Sequence, residues 1–175
     1  MKQIDLTNWT QETAYIIGLW MAVGEKTKNI YSIFIKKKDK YILKLINNGE
    51  ILTVPNNKQM FKIDFTIKNN KLLLDIFDIP KDYLPDFIRG YFDGKGEIKR
   101  IKDNRFNISL NNDDIKFLQK MLKILKKEAG ILQGSIDLKN HKLVFGNKDS
   151  IKLGKYMYKN NPELFLLRKK QKFNL

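Results

Sequence analysis

Two ten-residue stretches, 72 positions apart, constrain this chain more than any other feature in it. Ile16-Ile17-Gly18-Leu19-Trp20-Met21-Ala22-Val23-Gly24-Glu25 falls on Ile88-Arg89-Gly90-Tyr91-Phe92-Asp93-Gly94-Lys95-Gly96-Glu97. Each copy has glycine at its third and ninth places and a small residue, Ala22 or Gly94, at its seventh. Residues four apart share a helix face, so Gly18 with Ala22, and Gly90 with Gly94, make two short smooth strips. Small side chains at that spacing let two helix backbones come close. The pattern predicts two helices packed on each other through these four positions, joining two halves of one structure.

The segment Ile79-Pro80-Lys81-Asp82-Tyr83-Leu84-Pro85 divides the chain, with two prolines bracketing a turn. On either side the order helix, strands, helix, strands, helix recurs, which gives pseudo-repeats over 1–79 and 80–175 of a single domain. In the first, a helix capped by Thr10 runs to Val23, a strand covers Ile30 to Lys36 and a short helix covers Lys40 to Asn47. A hairpin then joins Ile51–Val54 to Met60–Ile67, and a closing helix is expected over Leu72 to Phe77. The second opens with a helix from Pro85 to Gly94, then a hairpin of Glu97–Ile101 and Arg105–Leu110 turned at Lys102-Asp103-Asn104. Asp113 to Ala129 is the clearest helix, with Gly130 as its stop. A hairpin of Ile131–Leu138 and Lys142–Phe145, a helix from Ile151 to Lys159 and a helical tail from Glu163 to Phe173 complete it. The first half reads as trimmed, with one clear strand where the second has its leading hairpin. The fold class is α+β: two antiparallel sheets with helices on one face, in a monomer with an internal pseudo-twofold.

Charge narrows the function. Lys and Arg number 34 against 19 acids, a formal +15, and an excess that large points to a polyanionic partner such as nucleic acid. The chain has no cysteine, which excludes disulfides and thiolate metal sites. Its one histidine, His141, sits in a polar run and reads as an exposed turn residue, which argues against a Ser-His-Asp site or a multi-histidine zinc site. The longest apolar run, Ala14 to Gly24, is too short to cross a bilayer, and the N-terminal residues lack the pattern of a signal peptide. An intracellular protein, cytoplasmic or organellar, without membrane attachment is expected.

The residues Asp86-Phe87-Ile88-Arg89-Gly90-Tyr91-Phe92-Asp93-Gly94 resemble the second motif of the LAGLIDADG homing endonucleases in their single-chain, two-repeat form. Trp9 to Gly24 resembles a worn first motif, and Tyr156-Met157-Tyr158 followed by Leu166 to Phe173 resembles the ending common in that family. The resemblance implies a saddle of two sheets seated on a nucleic-acid duplex. It also implies a metal-binding acid at the eighth motif place of each repeat, where a divalent ion activates water and neutralises phosphate. Those places hold Val23 and Lys95 here. Valine cannot coordinate metal and lysine repels a cation, so binding without cleavage is expected, with no metal and no cofactor. Glu25 and Glu97, just past the final glycines, are the substitute carboxylates an active nuclease would need.

Strand alternation supplies contact residues independently. If Phe61, Ile63 and Phe65 face the helices, Lys62, Asp64 and Thr66 face out. If Phe106, Ile108 and Leu110 face in, Arg105, Asn107 and Ser109 face out. Lys36, Lys99, Gln133, Ser135 and Lys142 follow on the same logic. Arg and Asn suit base edges, and Lys suits phosphates. The helical lysines Lys116, Lys120, Lys123, Lys126 and Lys127 read as a solvated face. Duplex DNA and structured RNA both fit such a surface. An RNA-binding maturase or a ribonucleoprotein component is therefore the alternative to a DNA binder.

Overall fold

The computed structural model describes residues 2–68, 75–102 and 105–173. Its centre is a pair of helices, α1 (Gln11–Val23) and α3 (Leu84–Lys95). Thr10 stops α1 at its start, its side chain accepting from the Thr13 N–H at 3.0 Å. Pro85 stands in the first turn of α3, where the missing N–H costs nothing. The two helices meet backbone to backbone. A Cβ placed on Gly18 would lie 2.1 Å from the Phe87 carbonyl oxygen, and one on Gly90 would lie 2.1 Å from that of Tyr15. A Cβ on Gly94 would lie 2.3 Å from the Ala22 Cβ. The contact is reciprocal, each glycine lying against the carbonyl three residues before the other.

The ninth-place glycines have a different cause. At Gly24 a Cβ would meet the Trp20 indole at 2.1 Å, and at Gly96 the Phe92 ring at the same distance. In each helix a ring folds over the exit, so the chain passes directly from helix into strand.

β2 (Gly24–Thr27) and β3 (Ile30–Lys36) follow α1, and β6 (Gly96–Arg100) and β7 (Phe106–Asn111) follow α3. The first half thus has the leading hairpin that the sequence reading denied it. β2 was hidden because Glu25, Lys26 and Thr27 are all exposed on an edge strand with no buried side to alternate against. After α2 (Lys40–Ile46) come β4 (Leu52–Val54) and β5 (Asn57–Ile67). After α4 (Ile115–Glu128) come β8 (Ser135–Asp137) and β9 (Lys142–Phe145). The sheets share one antiparallel order, β2-β3-β5-β4 and β6-β7-β9-β8. An unexpected short strand, β1 (Lys2–Ile4), adds in parallel to the far end of β5.

Three expected elements are corrected. Of the closing helix expected over Leu72 to Phe77, residues 72–74 lie outside the described residues, and Ile76–Asp78 form a 3-10 turn capped by Asp75. Asp103 and Asn104 of the expected turn also lie outside them. The strand expected from Ile131 is only Ser135–Asp137, because Asp149 takes the Leu132 and Gln133 N–H groups at 3.1 and 2.7 Å. The tail holds one short helix, α6 (Leu167–Lys170), and a 3-10 turn; before it, α5 (Asn147–Tyr158) begins earlier than expected.

Each sheet turns one face to the helices. Tyr31, Ile33, Ile35, Ile63, Phe65 and Ile67 of the first, and Phe106, Ile108, Leu110, Leu143 and Phe145 of the second, are buried. The alternate residues are left on open faces. Among the described residues no helix is long and apolar enough to cross a membrane.

Candidate nucleic-acid interface

The helix pair delivers Val23-Gly24 and Lys95-Gly96 to the roots of the two sheets. Val23 reaches toward the partner helix, its Cγ1 lying 3.3 Å from where a Gly94 Cβ would stand. A cavity of about 340 Å³ opens beside this point, with Val23, Lys36, Lys38, Asp93, Gly94 and Lys169 in its wall.

Asp93 does not point to a reacting group. It is buried, and it accepts from the Tyr15 hydroxyl across the helix pair at 2.9 Å and from the Leu166 N–H of the tail at 2.8 Å. Burial lifts its carboxyl to about 6, while Lys169 and the two hydrogen bonds pull the other way. The ammonium of Lys169 donates to the carbonyls of Phe92, Asp93 and Gly96 at 2.5, 3.0 and 2.6 Å, closing the negative end of α3. Burial pushes that ammonium down to about 8. Arg89, fully buried, donates to Asp86 at 2.6 Å and to the carbonyls of Met157 and Leu164 at 2.8 Å each. The motif's polar residues therefore hold the tail against the helix pair. Arg168 fastens it to the first half as well, gripping Asp39 with two nitrogens at 2.7 and 2.6 Å.

A divalent metal does not fit the residues present. Val23 offers no oxygen, and Lys95 brings a positive charge to the second place. The Glu97 carboxylate takes the Lys142 ammonium at 2.9 Å and the Asn111 amide at 3.3 Å, and Lys142 is the chief cause holding it below the usual carboxylate range. Glu25 is exposed on edge strand β2. Among the described residues no three His, Asp or Glu side chains stand together as a metal would need. The lysines by the cavity, Lys36 and Lys38, suit a phosphate oxygen better than an ion of their own sign.

The open faces follow from register. On the first sheet Ser32 pairs with Glu25 and Asp64, Phe34 with Lys62, and Lys36 with Met60; Thr66 continues the row. On the second, Glu97 pairs with Ser109, Lys99 with Asn107, Ser135 with Val144, and Asp137 with Lys142. Thus Lys36, Lys62, Thr66, Lys99, Asn107, Ser109, Ser135 and Lys142 share the open side. Gln133 lies outside the ladder: it precedes β8, and its backbone N–H is bound to Asp149. Arg105 lies one residue before β7, exposed, with its Nε facing the Lys102 carbonyl at 3.4 Å.

Two lysines are less available than alternation suggests. Lys62 is bound to Asp64 at 2.9 Å, and Lys142 to Glu97. Counting Lys58 at the start of β5, five outward lysines (Lys36, Lys58, Lys62, Lys99, Lys142) meet four carboxylates (Glu25, Asp64, Glu97, Asp137). The faces are polar but almost neutral. Cations gather instead at the strand ends, on Lys28, Lys102, Arg105 and Lys139. Sequence reading passed over Lys28, Lys58, Lys102 and Lys139 because turn lysines look alike until the strands are placed.

Comparison with known proteins places this geometry. The chain matches full-length WhiA from Thermatoga maritima at TM-score 0.61 and 18% identity, covering 94% of this chain and spanning 58% of that one. It matches the N-terminal LAGLIDADG domain of WhiA at 0.63 and 17%, covering 85% and 84%. The homing endonuclease I-WcaI, bound to its DNA recognition sequence, matches at 0.61 and 12%, covering 94% and 88%. No curated protein matches in sequence. Residues 82–135, from two residues before α3 to the first residue of β8, match the family model of the LAGLIDADG-like domain, and the fold is the mixed α+β architecture of the LAGLIDADG homing endonucleases.

Proposed function

We propose that the chain is a two-repeat LAGLIDADG-type protein that binds duplex DNA across the open faces of its sheets and does not cut it. The observation that carries this reading is the site itself. Two sheets of one strand order turn polar, near-neutral faces outward, and the helix pair between them ends in Val23 and Lys95. Contacts divide as duplex recognition requires. The strand-end cations Lys28, Lys102, Arg105 and Lys139, with Lys36 and Lys58, meet phosphates and set the register. Thr66, Asn107, Ser109 and Ser135 meet base edges. A B-form major groove admits strands, whereas the deep, narrow major groove of A-form RNA excludes side chains, so DNA is the better fit. That I-WcaI is bound to DNA supports the same choice.

Cleavage requires charge stabilisation and an activated water, which the family draws from carboxylate-held metal. Val23 supplies neither, and Lys95 activates no water. Lys95 instead offers a fixed positive charge against a phosphate. The test is selection from random duplex DNA and from structured RNA, each with Mg²⁺, followed by denaturing gels of the retained strands. Enrichment of a duplex recovered intact is expected. Enrichment of RNA alone replaces the DNA reading with a maturase-like or ribonucleoprotein role. Nicked product lost in Glu25→Gln or Glu97→Gln restores the nuclease.

A further inference from the structure

The sheet faces hold almost none of the +15, so most of the charge lies elsewhere. Much of it stands on two helices of the second half. On α4, Lys116, Lys120, Lys123 and Lys127 recur at i, i+4, i+7 and i+11. On α5 and its cap, Lys148, Lys152, Lys155 and Lys159 recur at the same intervals. That spacing keeps each set on one stripe of its helix, about 16 Å long at about 1.5 Å per residue.

Both helices pack on β9, covering the buried side of the second sheet, and Lys152 reaches the Gly130 carbonyl just beyond α4 at 2.9 Å. Their apolar residues are committed inward: Leu118, Met121, Ile124 and Leu125 from α4, Leu153, Tyr156 and Met157 from α5. The lysine stripes therefore point away from the open sheet face. Acids answer three of the eight. Asp75 takes Lys120, Glu128 is shared by Lys81 and Lys127, and the buried Asp149, which also accepts from two backbone amides, stands 3.8 Å from Lys152. Lys120 and Lys123 flank the half-exposed Phe77 ring, at 5.8 and 5.9 Å from its centroid.

We propose that the two stripes form a second nucleic-acid surface, which takes the phosphodiester backbone of another duplex segment without regard to sequence. The inference rests on the reading that the sheets bind duplex DNA, and it makes the protein a bridge between two segments. A duplex strand offers a charge every 3.4 Å of axis, roughly, so each stripe spans several phosphates. Lysine, the residue type that suits phosphates, makes up each stripe, with Gln119 exposed between Lys116 and Lys123 and the Phe77 ring beside Lys120 and Lys123.

The test is capture of a fluorescent duplex by protein already bound to an immobilised duplex. It uses wild type, a stripe variant (Lys116→Gln, Lys123→Gln, Lys148→Gln, Lys155→Gln) and a face variant (Lys36→Gln, Arg105→Gln), each checked for an unchanged melting temperature. Wild type is expected to capture the second duplex. The stripe variant should bind one duplex but not the second, and each single Lys→Gln change in the stripes should lower the log–log salt slope of capture by about 0.9. A linked pair of sites on one long DNA separates looping within a molecule from pairing of two molecules. Wild type that binds one duplex but never a second overturns this inference alone. Wild type that binds no duplex overturns the reading beneath it as well. Capture that survives in the stripe variant, or binding of phosphatidylserine vesicles lost in that variant without any bridging, overturns the inference.

Discussion

Replacing Gly90 with alanine puts one carbon where the structure has a neighbouring backbone. The new Cβ would stand 2.1 Å from the Tyr15 carbonyl oxygen and 2.9 Å from the Leu19 nitrogen, both backbone atoms of the facing helix. Restoring ordinary contact near 3.4 Å requires the helices to part by about 1.3 Å along that line. Overpacking of this kind costs about 1–3 kcal/mol and sometimes more, and alanine's helix propensity returns up to about 1 kcal/mol. The parted helices also lose packing along Ala22 and Gly94, so a net loss of roughly 2 kcal/mol is expected. For a chain of this size that lowers the melting temperature by roughly 4–8 °C. Gly18→Ala should match it, because Gly18 meets the Phe87 carbonyl at the same 2.1 Å. The double variant should lose less than the sum, since one separation relieves both contacts. Gly146→Ser is the control: nothing lies within 4 Å of its Cβ position, and serine is a good residue at the start of α5. Thermal melting by circular dichroism reads all four. Wild-type midpoints for both glycine variants, or strict additivity in the double, would refute the close-packed pair.

The buried Asp93 gives a pH prediction. Its folded carboxyl titrates near 6, above the ordinary 3.8, so between those values the native state holds more protons and stability falls as pH rises. Asp93→Asn should remove that part of the slope in melting temperature from pH 4 to 6.5, and identical slopes would contradict it. Writing carboxylates back with Val23→Asp and Lys95→Asp should create Mn²⁺ binding, seen by electron paramagnetic resonance, that wild type lacks. Arg105→Ala should lower the salt slope of DNA binding by about 0.9, at unchanged stability. Lys62→Ala should lower it by less than one full contact, because Lys62 is already held by Asp64.

The parts of the fold that were legible in sequence are those that repeat a local rule. Glycine and alanine at helical spacing marked the helix pair, Thr10 and Gly130 marked helix ends, and alternation from Phe61 to Ile67 marked the central strand. What was not legible depends on partners distant in sequence. β1 exists only because β5 extends past its antiparallel partners and leaves a ladder edge for Lys2–Ile4. Gln133 stands outside the strand because Asp149, sixteen residues on, takes its backbone N–H. Lys169 looks like one more cation in a basic tail, and only the fold shows it buried at the end of α3. Alternation also could not say that Lys62 and Lys142 would find carboxylates, which is how the faces become neutral.

The central claim is that nucleic acid lies on the open sheet faces, and photocrosslinking to a selected duplex with mass spectrometry of the attached peptides tests it most directly. The account predicts crosslinks to peptides of β3, β5 and the β6–β7 hairpin, carrying Lys36, Lys58 and Arg105, with the DNA strands at full length. Crosslinks confined to α4 and α5, with the sheet peptides clean, would contradict it.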